Sequence, residues 1–280
     1  MAKIAVIGIC GNSIFLTVDH FHENGETLVA DSVFEEIGGK GINQAVAAAR
    51  MGAEVAFLAA IGDDTAGEQC RRTAQQEGID GCFKVSVGKP TTFAVILTDK
   101  TGENRVTEYV GAELTAEDVL SFEEEIAASD ILLLQQEVPE KVNLTAVRLA
   151  QRHGTRVILN PAPIRAVPDE IAAAVYAVTP NEQESQAIDV ARFPHCITTL
   201  GSRGCCIDGE TAVDALPVTA VDTTGAGDTF NGVLAVRIAE GADLPTACRW
   251  AVAASGISVT RPNVLNAIPS RDEIERKIGK

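Results

Sequence analysis

Aromatic residues make up only 4% of the 280 residues, and the 23 Lys and Arg are outnumbered by 39 Asp and Glu. So few rings leave Ala, Val, Ile and Leu to fill the core, the usual filling of parallel sheets packed under helices. The shortage of positive charge gives a formal net charge of −16. Such a surface repels nucleic acid and anionic membranes, which argues against both as partners. It repels nucleotides as well, so any phosphate ligand has to be held by local devices. The seven cysteines never fall in a C-x-x-C pattern, which sets aside zinc ribbons and thioredoxin-like chemistry. An odd number of thiols in an acidic chain points to a reducing, cytoplasmic compartment. No apolar run reaches membrane-spanning length. The opening M-A-K-I-A-V-I-G-I-C is too short for a signal peptide and reads as a first strand.

What is present is alternation. Strand-like runs at 3–9, 54–61, 130–134, 156–160, 175–179 and 196–200 are interleaved with helical spacing near 44–51, 65–77, 115–128, 139–153 and 181–189. Thr115 and Asp118 have the spacing of a capping box. This order predicts an α/β fold, a parallel sheet with helices on both faces. Two places break the rhythm. Residues 14–36, with Asn24-Gly25 between two strand-like runs, and residues 92–110, around D-K-T-G-E, read as strand pairs of a small separate sheet.

Residues 222–232, D-T-T-G-A-G-D-T-F-N-G, set two glycines and a carboxylate at the start of a helical run. A helix N-terminus offers unpaired N–H groups to an anion, glycines allow close approach, and an acid there can accept a proton. The plain alternative is a turn in which Asp228 caps the helix. A second cluster, G-G-K-G-I-N-Q (38–44), is neither a Walker A loop nor the dinucleotide fingerprint. By itself it fits a close backbone approach, with Lys40 and Asn43 able to bind hydroxyls, as well as it fits a tight turn. In T-P-N-E-Q-E, Asn181 and Glu184 stand three apart at a helix start. That suits either a hydrated magnesium ion or an ordinary N-cap. T-T-L-G-S-R-G (198–204) is either a nucleotide loop or a hairpin turn.

Taken in order, N-G-E-T, G-G-K-G-I-N-Q-A-V-A-A-A-R, Q-Q-E, N-P-A-P, T-P-N-E-Q-E, L-G-S-R-G and D-T-T-G-A-G-D-T-F-N-G resemble the ribokinase, or phosphofructokinase-B-type, carbohydrate kinases along the whole chain. The resemblance implies one Rossmann-like kinase domain over residues 1–280, with a β-sheet lid from about 14–36 and 92–110, often dimerised through the lids. It implies ATP-dependent phosphorylation of a hydroxymethyl or other alcohol group of a sugar, with magnesium and potassium. Asp228 takes the place of the catalytic base, with Gly225, Ala226 and Gly227 as the anion hole. Gly39, Lys40, Asn43 and Glu137, with Gly11 and Ser13 of the first loop, take the sugar positions. Asn181 and Glu184 match the magnesium and phosphate motif, and Asn181, Thr199, Gly201 and Gly204 the nucleotide site. Asp222 and Thr224, with carbonyls of Ser258, Arg261 and Asn263, fall where a monovalent cation is held.

Some positions depart from that pattern. Gly11 stands for the usual sugar-binding Asn and Ser13 for the usual Asp, while Gly111-Ala112-Glu113 replaces G-A-N. Asn263 and Ala267 replace the Gly and Ser usual in the cation loop. These changes argue against ribose as the best substrate. A nucleoside kinase of the same fold, with Phe15, Phe34 and Phe93 around a base, stays open, as does a non-catalytic sugar- or nucleotide-binding regulator.

Overall fold

Lys3–Ile7 has one exposed lysine followed by four buried residues, the pattern of a strand covered on both faces. In this computed structural model, which describes residues 1–279, that run is β1. The chain continues through β2 (Gly11–Thr17), β3 (Ser32–Gly38), α1 (Lys40–Arg50), β4 (Glu54–Gly62), α2 (Thr65–Gln76) and β5 (Asp80–Ser86). A hairpin of β6 (Phe93–Thr98) and β7 (Asn104–Tyr109) precedes two short helices, α3 (Ala116–Leu120) and α4 (Glu123–Ala128). There follow β8 (Ile131–Gln135), α5 (Glu140–His153), β9 (Arg156–Asn160), α6 (Asp169–Ala174), β10 (Ala177–Val178) and α7 (Glu182–Ala187). Three short strands, β11 (Ile197–Thr199), β12 (Cys205–Ile207) and β13 (Thr211–Val213), lead to α8 (Ala226–Ala239), α9 (Leu244–Ser258) and α10 (Arg271–Ile278).

The main sheet has the order β10-β9-β8-β1-β4-β5, and all five of its pairings are parallel. Alternate residues of β1 therefore enter different cores. Ile4 and Val6 join the side chains of α1, α8 and α9, while Ala5 and Ile7 pack with those of α3 to α6. The expected parallel sheet with two helical layers is what is found. The capping box at Thr115 and Asp118 is formed as well.

The four-stranded sheet, β3-β2-β6-β7, stands apart from the main one. Its outer pairings are antiparallel, but β2 and β6 run parallel, joining two segments that the sequence presents as independent hairpins. The first is not a tight hairpin at Asn24-Gly25, because β2 and β3 close at Thr17 opposite Ser32 and leave 18–31 as a connection.

Other boundaries also differ from expectation. The first helix starts at Lys40, not 44, because Gly39 (φ 108°) turns the backbone sharply out of β3. The expected helix over 115–128 is two helices, parted near Ser121 and Phe122. The 175–179 run keeps only two strand residues, and 196–200 pairs antiparallel with β12. Among the described residues no helix is long and apolar enough to cross a membrane.

Candidate active site

Two helix starts are brought together by one missing side chain. A Cβ on Gly232 of α8 would lie 2.5 Å from the Ala47 Cβ and 2.6 Å from the Gln44 carbonyl oxygen of α1. Only glycine permits this approach, and it sets the first turns of α1 and α8 side by side. There Asn43 Nδ2 donates to Asp228 Oδ2 at 2.9 Å, and Gln44 Nε2 donates to Asp228 Oδ1 at 3.1 Å. Asp228 is buried.

The two amides are themselves fixed by strand ends. Gln44 Oε1 accepts from Gln135 Nε2 at 2.8 Å, and its Nε2 also reaches Asn160 Oδ1 at 3.3 Å. Gln135 and Asn160 are the last residues of β8 and β9. Asn143 Nδ2, buried in α5, donates to the Gln135 carbonyl at 2.7 Å. A buried network of this kind holds a carboxylate in one place.

Charge is balanced locally. The Lys40 N–H donates to Glu137 Oε2 at 2.9 Å. The Asp228 carboxylate raises the Lys40 ammonium above its ordinary value, and Glu137 adds to this. Burial pushes Glu137 up to about 7, although the Lys40 charge pulls it the other way. A basic group and a readily protonated acid thus flank Asp228.

Residues 225–228 form a wall between two cavities. The first, about 260 Å³, lies under the four-stranded sheet and takes in Gly11, Ser13, Gly39, Lys40, Asn43 and Glu137, with Gly225 and Asp228 on its far side. The second, about 310 Å³, takes in Thr199, Gly201 and Gly204, with Ala226 and Gly227 on its near side. Gly225 is left-handed (φ 72°) and no side chain caps the helix that follows, so Asp228 is not the N-cap the plain alternative required. A carboxylate beside an uncapped helix start can take a proton on one side and face an anion on the other.

The remaining candidates fall around this wall. Gly204 (φ 91°) turns the chain where a Cβ would meet the Val213 carbonyl oxygen at 1.9 Å. Asn181 and Glu184 are engaged with each other: Asn181 Oδ1 accepts from the Glu184 N–H, and Glu184 Oε2 from the Asn181 N–H, both at 2.8 Å. The N-cap alternative at that motif is therefore realised, and neither residue lines either cavity. Glu184 is nevertheless buried, its carboxyl raised by that burial, and it senses the charges of Lys40 and Asp228. Asp222 accepts from the Thr224 N–H at 2.9 Å and from the Asn263 N–H at 3.3 Å. The Ser258 carbonyl accepts from the Arg261 N–H at 3.0 Å, and the Arg261 side chain turns away to Glu273.

Sequence reasoning missed Gln44, Gln135 and Asn160 as supports of Asp228, and Glu36, Asn104 and Glu108 as cavity residues. A signal existed for Gln44, the one long polar side chain in the run I-N-Q-A-V-A-A-A. Strand periodicity places Glu36 on the face of Gly38.

The pattern of the pfkB family carbohydrate kinases matches residues 1–271. The chain is 35% identical to the ribokinase of Haemophilus influenzae, with 96% of each chain covered. It is 34% identical to the ribokinase of Bacillus subtilis over the whole of both. The crystal structure of ribokinase from Thermotoga maritima superposes with a TM-score of 0.92, at 33% identity and with both chains fully covered. Two cavities parted by a glycine-flanked carboxylate, on a fold shared from end to end, agree with that kinship. The chain belongs to the pfkB family of carbohydrate kinases, as a ribokinase-like phosphotransferase with an alcohol group as acceptor.

Proposed function

We propose that the first cavity binds a sugar and the second the adenine nucleotide, and that phosphoryl transfer crosses the 225–228 wall. The observation that carries this reading is the division of the G-A-G-D turn, with Asp228 facing one cavity and the Ala226-Gly227 backbone the other. Lys40, Asn43 and Glu137, with Gly39, Gly11 and Ser13 beside them, hold the sugar. Asp228 takes the proton of the attacking hydroxyl. The N–H groups of Gly225, Ala226 and Gly227 stabilise the charge on the phosphoryl in flight, so the work is mainly positioning and electrostatics. Thr199, Gly201 and Gly204 shape the nucleotide side, and Asn181, outside the cavity itself, supports it through its backbone bridge to Thr199.

Among the described residues no three His, Cys, Asp or Glu side chains cluster in a way that could hold a bare metal ion. Asn181 and Glu184 fit instead a magnesium ion that keeps its water and neutralises the phosphates when bound. Glu184 uses one carboxylate oxygen in the capping box and keeps the other. Asp222, Thr224 and the carbonyls of Ser258, Arg261 and Asn263 are the candidates for potassium. Both carboxylate oxygens of Asp222 already accept N–H groups, which holds one end of the loop, and a bound ion would order the rest through the carbonyls.

The whole of 1–280 is read as one kinase domain in a cytoplasmic enzyme, with the four-stranded sheet as its lid. The outward lid face carries Ile14, Val33, Val95 and Leu97, and Val33 is 64% exposed. A second copy covering this face gives a homodimer. A nucleoside as acceptor is the second reading, favoured by Phe15 and Phe93, which line the first cavity. The deciding experiment is ADP release over a panel of sugars and nucleosides. No turnover on any of them would sink the kinase reading.

A further inference from the structure

Glu36 lies on β3 opposite Ser13 of β2, on the face that lines the first cavity. Its carboxylate is committed elsewhere. Oε1 accepts from the Val264 N–H at 2.9 Å and Oε2 from the Leu265 N–H at 3.3 Å. These amides belong to the turn after α9, and that turn supports the wall between the cavities in two ways. Asn263, left-handed at φ 69°, donates its N–H to Asp222, whose other oxygen holds the Thr224 N–H. The Val264 side chain packs on Gly225 so closely that a Cβ there would lie 2.4 Å from Val264 Cγ1. The far side of the turn is braced on the body of the protein, where Arg50 of α1 donates to the Leu265 carbonyl at 2.6 Å. One unbroken set of contacts thus runs from the lid strand through Glu36 and Val264 to Gly225 and the start of α8.

Nothing in the packing of β3 alone calls for an acid here. Burial and the nearby Asp222 charge both push its carboxyl up, and the two amide bonds offset that cost. We propose that Glu36 is a positioning residue that ties the sheet over the sugar cavity to the Gly225–Asp228 wall, so that the two move as one unit. The inference rests on the kinase reading only for its kinetic consequence, since the coupling itself is a property of the protein without ligand.

The test uses the full chain with Glu36→Ala and Glu36→Gln, the second keeping an oxygen that accepts one of the two N–H groups. Hydrogen exchange, read peptide by peptide, should quicken in Glu36→Ala both at 261–267 and at 222–230, and remain unchanged in the main sheet. In turnover assays Glu36→Ala should lower kcat about tenfold to a hundredfold, the loss of one to two charge-assisted bonds. The KM for ATP should stay near its original value. Glu36→Gln should recover a large part of the loss. Exchange that quickens at 261–267 alone, or everywhere at once, overturns the coupling. So does a kcat for Glu36→Ala within about twofold of the unmodified enzyme. Were the unmodified enzyme inactive on every acceptor, the kinase reading would fail while the exchange arm still decided the coupling.

Discussion

Asn43 gives its amide N–H to Asp228 and keeps a buried carbonyl oxygen, Oδ1, with no partner in the protein. One side chain therefore orients the carboxylate while its own oxygen is sealed from solvent without a hydrogen-bond partner, a cost accepted to hold Asp228 in place.

Replacing Asp228 by Asn keeps the shape of the site and removes the proton acceptor. The expected loss in kcat is about 10²–10⁴, the usual range for a general base. ATP affinity should hardly change, because the side chain faces the acceptor cavity. Near-full turnover by the variant would show that the base is another group.

Glu137 should make stability fall as pH rises. Its folded value of about 7 lies above the ordinary carboxylate value, so the folded state binds the extra proton. That stabilisation is complete below about pH 4 and is lost as pH climbs through 7. Glu137→Gln, which does not titrate, should therefore gain on the unmodified protein between pH 5 and 8, by on the order of 2–3 kcal/mol. Thermal melts of both proteins across that range measure the difference. Parallel melting curves would mean that Glu137 titrates at its ordinary value.

Removal of divalent ions with a chelator should abolish turnover, and magnesium should restore it, since no Walker-type lysine is present to neutralise the phosphates. Potassium should stimulate by ordering the 222–228 loop. Equal rates in sodium, potassium and choline buffers would remove the monovalent site from the mechanism.

Ribose should not be the best acceptor. A Cβ on Gly11 would lie 2.2 Å from the Thr92 carbonyl oxygen, so no asparagine fits there without moving the backbone that leads into β6. Asn12 does not take over, since its amide donates to Glu35 at 3.3 Å. Ser13 is short and neutral. With two polar contacts gone, ribose should trail the best member of a mixed panel by at least about tenfold in kcat/KM. A micromolar KM and the highest efficiency for ribose would refute this.

The layered sheet was legible because buried parallel strands leave apolar runs, and the wall was legible because glycines beside an acid are uncommon at a helix start. The supports of Asp228 were harder to see. Gln44, Gln135 and Asn160 lie far apart in the chain, and each alone is an ordinary polar residue at the end of an apolar segment. Their joint role exists only once β8, β9 and α1 are side by side. The parallel pairing of β2 with β6 was hidden for a similar reason. Each antiparallel pair forms within its own segment, and nothing in either segment reports its neighbour.

The close approach at Gly232 also governs the order in which the protein can be completed. Helix α1 is buried from Gly41 to Ala48, largely against a helix that begins only at Ala226. A nascent chain that has emerged as far as β13 has the whole main sheet but cannot cover that surface. Asn43 and Gln44 then still lack the carboxylate they are built to hold. The N-terminal three quarters is thus not a separable folding unit, and it exposes an apolar face during synthesis until α8 arrives.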